Sequence, residues 1–90
     1  MPAPVKIAIA GALGRMGRAL VAAAAAREDL EIVALFDRPG AEGEGLVDQE
    51  AALDACDVVV DFTLAHVSAA LAERCATRGG PAMVIGSTGF

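Results

Sequence analysis

At 90 residues the chain holds one domain at most. Its 56% hydrophobic content and mean hydropathy of +0.55 exclude a disordered polymer, and a net charge of −5 without a basic run speaks against nonspecific nucleic-acid binding and anionic membrane surfaces. Aromatics make up only 3%, with no Trp and no Tyr, so the core must be built from Val, Ile, Leu and Ala, which disfavours a small all-β module that stacks bases.

Val5 to Ala10 (VKIAIA) reads as a short strand that stops at Gly11. The period then changes: Leu13, Met16, Leu20 and Ala24 recur at helical spacing, with Arg15, Arg18 and Arg27 elsewhere on the wheel. The alanines from Ala22 to Ala26 favour helix. Ile32 to Phe36 is a continuous apolar run, which fits a strand buried on both faces of a parallel sheet. It ends at Asp37-Arg38-Pro39-Gly40. Residues 39–50 carry three Gly and three Glu and read as a solvated loop, with one helical turn over Ala51 to Ala55.

Val58-Val59-Val60 reads as a third buried strand, ending at Asp61. Leu64, Val67, Leu71 and Cys75 then repeat at helical spacing, with Glu73, Arg74 and Arg78 facing out. Gly79-Gly80-Pro81 stops that helix, and Ala82 to Ile85 is a fourth strand before Gly86 to Phe90. Strands alternating with helices imply βαβ units with right-handed crossovers, hence an open parallel α/β sheet with an expected strand order of 2-1-3-4.

The two cysteines, Cys56 and Cys75, form no CxxC pair and read as small buried thiols in a reducing compartment. His66 is the sole histidine, which supports no metal site, and its place in the first turn of the third-strand helix reads as surface. The apolar N-terminus superficially looks like a signal peptide, but Arg15 and Arg18 interrupt it. No uncharged run approaches the roughly 20 residues of a membrane span, so the chain reads as cytoplasmic.

Gly11-Ala12-Leu13-Gly14-Arg15-Met16-Gly17 is a G-x-x-G-x-x-G turn between the first strand and the first helix. Glycines suit a tight turn, close approach of a pyrophosphate to the backbone, and close helix-strand packing. Amides around Gly14, Arg15 and Met16 would point at phosphates from the helix N-terminus. A tight turn with no ligand is the plainer alternative. Asp37 stands twenty residues after Gly17, close to the offset of an acid that reads ribose hydroxyls. A carboxylate there repels a 2′-phosphate, and Arg38 beside it can offset the repulsion, which points to tolerance of both NADH and NADPH. Arg38 is otherwise an ordinary solvated charge. Asp61-Phe62-Thr63 and Gly86-Ser87-Thr88-Gly89 follow the third and fourth strands, so every candidate segment lies at the carboxyl ends of strands, where open α/β sheets bind ligands. Thr63 also fits a helix N-cap, Gly86 and Gly89 fit simple turns, and Asp61 reads as an anchor for backbone N–H groups rather than a general base.

Taken together, Gly11 to Gly17, Asp37-Arg38, Val58-Val-Val-Asp-Phe-Thr63 and Val84-Ile-Gly-Ser-Thr-Gly-Phe90 resemble the N-terminal domain of the dihydrodipicolinate (4-hydroxy-tetrahydrodipicolinate) reductase family over essentially the whole chain. The resemblance implies a Rossmann-type open parallel sheet with helices on both faces and about four strands, truncated at residue 90. It implies reduction of a cyclic precursor in diaminopimelate and lysine biosynthesis, with NADH or NADPH as cofactor. By motif, the pyrophosphate turn carries over to Gly11, Ala12, Leu13, Gly14, Arg15, Met16 and Gly17. The ribose acid carries over to Asp37, the 2′-phosphate contact to Arg38, and the nicotinamide-side segment to Gly86, Ser87 and Thr88, with Phe62 and Thr63 flanking.

Three departures stand out. Ser87 replaces the family's usual Thr, Ala65-His66 stands where a Pro is usual, and the connection from Arg38 to Asp57 is short. Residues matching the family's second, catalytic and substrate domain are absent from the sequence, so residues 1–90 are expected to be the dinucleotide-binding domain alone, holding cofactor with little turnover. An uncovered edge or face at the last strand is expected to drive self-association. The competing reading is a non-catalytic nucleotide-binding module, a nicotinamide sensor or a coenzyme A binder, since fold does not fix function. A semialdehyde dehydrogenase ranks lower, because neither cysteine falls at a strand end.

Overall fold

Apolar runs that stop at Gly or Asp become strands, and the stretches of helical period between them become helices. The computed structural model describes residues 3–37, 43 and 45–86. In chain order the elements are β1 (Val5–Ala10), α1 (Arg15–Ala25), β2 (Leu30–Phe36), α2 (Gln49–Ala55), β3 (Val58–Asp61), α3 (Ala65–Arg78) and β4 (Ala82–Ile85). The strands form one sheet in the order β2-β1-β3-β4, and each neighbouring pair is parallel. This is a Rossmann-type α/β fold, with the strand order read from the sequence.

Alternation along β1 assigns the two faces. Ile7 and Ile9 face α1, packing with Leu20, Val21, Ile32, Leu35 and Val60. Ala8 and Ala10 face the other way, and their small side chains admit α2 and α3, which bring Ala52, Leu53, Leu71 and Cys75 against Ala34, Phe36 and Val59. Burying a side chain such as Leu71, 3% exposed, contributes about 1.5–3 kcal/mol. Between Ile7 and Ala8 the β1–β2 register shifts by one: Ile7 pairs with Ile32 but Ala8 pairs with Ala34, leaving Val33 as a bulge residue. Exposed ion pairs join α2 to α3, Glu50 with Arg74 (2.7 Å) and Asp54 with Arg78. The Arg74 hydrogen bond holds the Glu50 carboxyl below its ordinary range.

Several expectations from the sequence change. Met16 is 55% exposed, because α1 presents Gly17, Leu20, Val21 and Ala24 to the sheet instead. Leu64 and Val67 are 68% and 38% exposed, since α3 buries Ser68, Leu71 and Cys75. Only Ala34 and Phe36 of β2 are fully buried, so that strand is not covered on both faces along its length. The stretch read as loop over 39–50 already contains the start of α2, capped by the Asp48 carboxylate, which accepts the Ala51 N–H at 2.7 Å. Leu46 also makes an isolated parallel bridge to Leu35. Cys75 is buried but Cys56 is only half-buried; both are free thiols, and burial pushes both pKa values up. Among the described residues no helix is long and apolar enough to cross a membrane, and no cluster of His, Cys, Asp and Glu could hold a metal ion.

Candidate functional site

The turn after β1 is held by backbone bonds to the end of β2. Phe36 O accepts the N–H groups of both Gly11 (3.0 Å) and Ala12 (3.2 Å), and Gly11 O accepts the Gly14 N–H (3.1 Å). Gly11 has φ +77°, a conformation that residues with a Cβ rarely adopt. Gly17 is glycine for a different reason. A Cβ there would meet Gly11 O and lie 2.8 Å from Ala12 Cα, so α1 crosses the turn at backbone contact distance. Gly14 is the N-cap of α1, and no side chain caps the helix. The helix N-terminus therefore offers amides to an anion without competition from a capping side chain.

Asp37 closes the turn from the neighbouring strand. Its Oδ2 accepts the Leu13 N–H at 3.0 Å, so the acid at the end of β2 is tied to the glycine turn at the end of β1. The two lie beside a cavity of about 480 Å³, lined by Gly11, Leu13, Gly14 and Asp37 together with Phe62, Thr63 and the apolar side chains of Phe36, Leu64, Val67 and Leu71. The cavity sits at the carboxyl ends of β1, β2 and β3, in the size range of small-molecule sites.

Of the residues singled out in the sequence, Gly11, Leu13, Gly14, Asp37, Phe62 and Thr63 meet at this cavity. Ala12 is buried beneath the turn and Gly17 behind it, while Arg15 and Met16 are exposed on the first turn of α1, outside the lining. Gly86 donates its N–H to Asp61 O at 2.7 Å, and a Cβ on it would run into the Phe62 ring, so the end of β4 lies against Phe62. Arg38, Ser87 and Thr88 lie outside the described residues, as does Gly89. Thr63 is not the N-cap of α3: Leu64 takes that place, and the Thr63 hydroxyl donates to Asp61 Oδ1 at 2.6 Å instead. The Thr63 N–H donates to the same oxygen at 2.8 Å. His66 is exposed on α3.

Gln49, Leu64, Val67 and Leu71 line the cavity without having been marked as site residues. For Leu64, Val67 and Leu71 the signal is present in another form. Their helical repeat looked like a core stripe, but the stripe begins at the carboxyl end of β3, so its first turn overhangs the strand ends rather than the sheet. Nothing in the local sequence marks Gln49.

The arrangement can hold an elongated, partly apolar anion: phosphate at the amides that open α1, a hydroxyl-bearing ring at Asp37, a flat apolar group against α3 and Phe62. A family model described as dihydrodipicolinate reductase, N-terminus, matches residues 5–90. A 4-hydroxy-tetrahydrodipicolinate reductase from Caulobacter vibrioides is 61% identical over all of this chain and 35% of its own length. Those from Alkalilimnicola ehrlichii and Thiobacillus denitrificans are 44% and 43% identical over 94% and 96% of this chain, each over 38% of its own length. The chain thus spans little more than a third of the relatives it matches. Among solved structures, a dipicolinate-bound dihydrodipicolinate reductase from Paenisporosarcina sp. TG-14 superposes with a TM-score of 0.76 at 24% identity, over 97% of this chain and 38% of that one.

Proposed function

We propose that this chain, which belongs to the dihydrodipicolinate reductase family as its N-terminal part, is the dinucleotide-binding domain of a reductase and holds NADH or NADPH at the strand ends. The observation that carries the reading is the Asp37–Leu13 hydrogen bond, which sets a carboxylate beside an uncapped helix N-terminus at the mouth of the cavity. The glycine turn and the start of α1 take the pyrophosphate through the amides of Arg15 and Met16, the Leu13 and Gly14 amides being held by Asp37 and Gly11 O. Asp37 accepts the hydroxyls of the adenosine ribose. Leu64, Val67 and Leu71 form the apolar wall for the adenine, and Arg38 meets a 2′-phosphate. Gly86, Ser87 and Thr88 continue along the nicotinamide half, with Phe62 and Thr63 beneath.

When bound, the dinucleotide supplies the hydride; these residues orient it and keep the adenosine end out of water. The relatives are named as reductases of 4-hydroxy-tetrahydrodipicolinate, and the residues assigned above serve the cofactor. The 90 residues alone bind cofactor with little turnover. Fluorescence titration with NADH and NADPH and calorimetry with coenzyme A test this. Binding of both dinucleotides is expected; coenzyme A binding without NADH binding would replace it with the non-catalytic module.

Val84 and Ile85 on β4, the outermost strand beyond β3, are 55% and 43% exposed. An open strand edge with an apolar face is a pairing surface. The isolated domain is therefore expected to self-associate, and light scattering that finds only monomer across a hundredfold concentration range would contradict it.

A further inference from the structure

We propose that Asp61 is a positioning residue of the cofactor site: its buried carboxylate fixes the Thr63 hydroxyl, and with it the Phe62–Leu64 turn that walls the cavity beside Gly11. The inference rests on the dinucleotide reading above. Asp61 ends a strand that otherwise runs Val-Val-Val, and it is fully buried. Its Oδ2 is buried without a hydrogen-bond partner. A half-satisfied carboxylate is costly inside a protein, and an aliphatic residue would fill a strand position at less cost. Stability therefore does not account for it.

What the carboxylate does is concentrated on its other oxygen. Oδ1 accepts from both the amide (2.8 Å) and the hydroxyl (2.6 Å) of Thr63. The same hydroxyl lies 3.2 Å from Ser68 Oγ, itself fully buried on α3. The Thr63 hydroxyl is thereby turned inward between β3 and α3. Its Cγ2 is left facing the glycine turn, 3.1 Å from where a Cβ would stand at Gly11. Phe62, Thr63 and Leu64 line the cavity, while Asp61 does not. Asp61 thus acts through its neighbours. Thr63 serves the ligand with its backbone and methyl group, its hydroxyl being committed to the anchor.

Thr63→Val and Thr63→Ser separate these roles, and Asp61→Asn and Asp61→Leu test the anchor from its other end. NADH and NADPH are titrated by fluorescence, with thermal melting in parallel. Asp61→Asn keeps an oxygen in place of Oδ1 and should bind within about twofold of wild type, while Thr63→Val and Asp61→Leu should each weaken binding about tenfold; Thr63→Ser, which keeps the hydroxyl and gives up the methyl, should bind more tightly than Thr63→Val. The double variant Asp61→Leu/Thr63→Val should be no weaker than either single one, as expected for two ends of one interaction. Should Asp61→Leu fail to fold, Thr63→Val against Thr63→Ser decides the matter, because Asp61 stays in place. Thr63→Val binding as tightly as wild type overturns the proposal, as do losses that multiply in the double variant. Wild type that binds neither dinucleotide overturns the reading of the site itself.

Discussion

Replacing Gly17 with alanine is expected to destabilise the fold by about 3 kcal/mol and to abolish measurable dinucleotide binding, at the upper end of what overpacking a tight contact costs. The obstacle is backbone, not a side chain that could swing aside. A Cβ at this position meets Gly11 O and comes within 2.8 Å of Ala12 Cα. Relief requires α1 to lift from the turn. That opens the contacts of Leu20 and Val21 with Ile7 and Ile9, and it moves the amides at the start of α1 away from the place where phosphate would bind. Since small domains carry only about 5–15 kcal/mol in total, the loss is a large share. Denaturant unfolding and NADH titration of the variant check both halves. A variant within 0.5 kcal/mol of wild type, on the scale of an ordinary surface change, would show that α1 does not press on the turn.

Asp37→Ala is expected to weaken NADH binding about 30-fold, the range for removing charge-assisted hydrogen bonds to a ligand. Two effects combine. The ribose hydroxyls lose their acceptor, and Leu13, whose N–H donates to Oδ2 at 3.0 Å, loses the tie that holds the glycine turn to the end of β2. NADPH should lose less, because the same substitution removes the negative charge that opposes its 2′-phosphate. The ratio of NADPH to NADH affinity therefore rises. Parallel fluorescence titrations measure it; equal losses for the two dinucleotides would place the ribose elsewhere.

The sheet was legible because each strand is an apolar run with a firm stop: Gly11 after β1, Asp37 after β2, the end of the valine run at Asp61, Gly86 after β4. The strand order followed from the alternation of element types. The glycine turn and Asp37 were legible because their spacing reflects backbone geometry that few residue types satisfy. What stayed hidden depends on where a helix lies relative to the sheet. Met16 and Leu64 fit their helical repeats, but each sits in or just before the first turn, which projects past the strand ends into solvent or over the cavity. Periodicity reports a face of the helix and carries no information about how far along the helix the core extends. The bonds of Thr63 were hidden for a related reason. A Thr one residue before a helical run looks like a cap, and only the buried carboxylate two residues earlier reveals the competitor for its hydroxyl.

The bulge at Val33 bears on how the acid and the glycine turn keep their relationship. Successive strand residues point to opposite faces, so the side on which Asp37 emerges depends on whether an odd or even number of ladder positions precedes it. Ile32 and Leu35 face α1 while Val33, Ala34 and Phe36 face α2 and α3, so one residue of β2 is surplus to the count. Removing it would let β2 pair with β1 without interruption and leave Asp37 in the same phase. The strand thus holds one residue of slack. The invariant the site needs is parity at the strand end, and the twenty-residue interval from Gly17 is only one of the lengths that satisfies it.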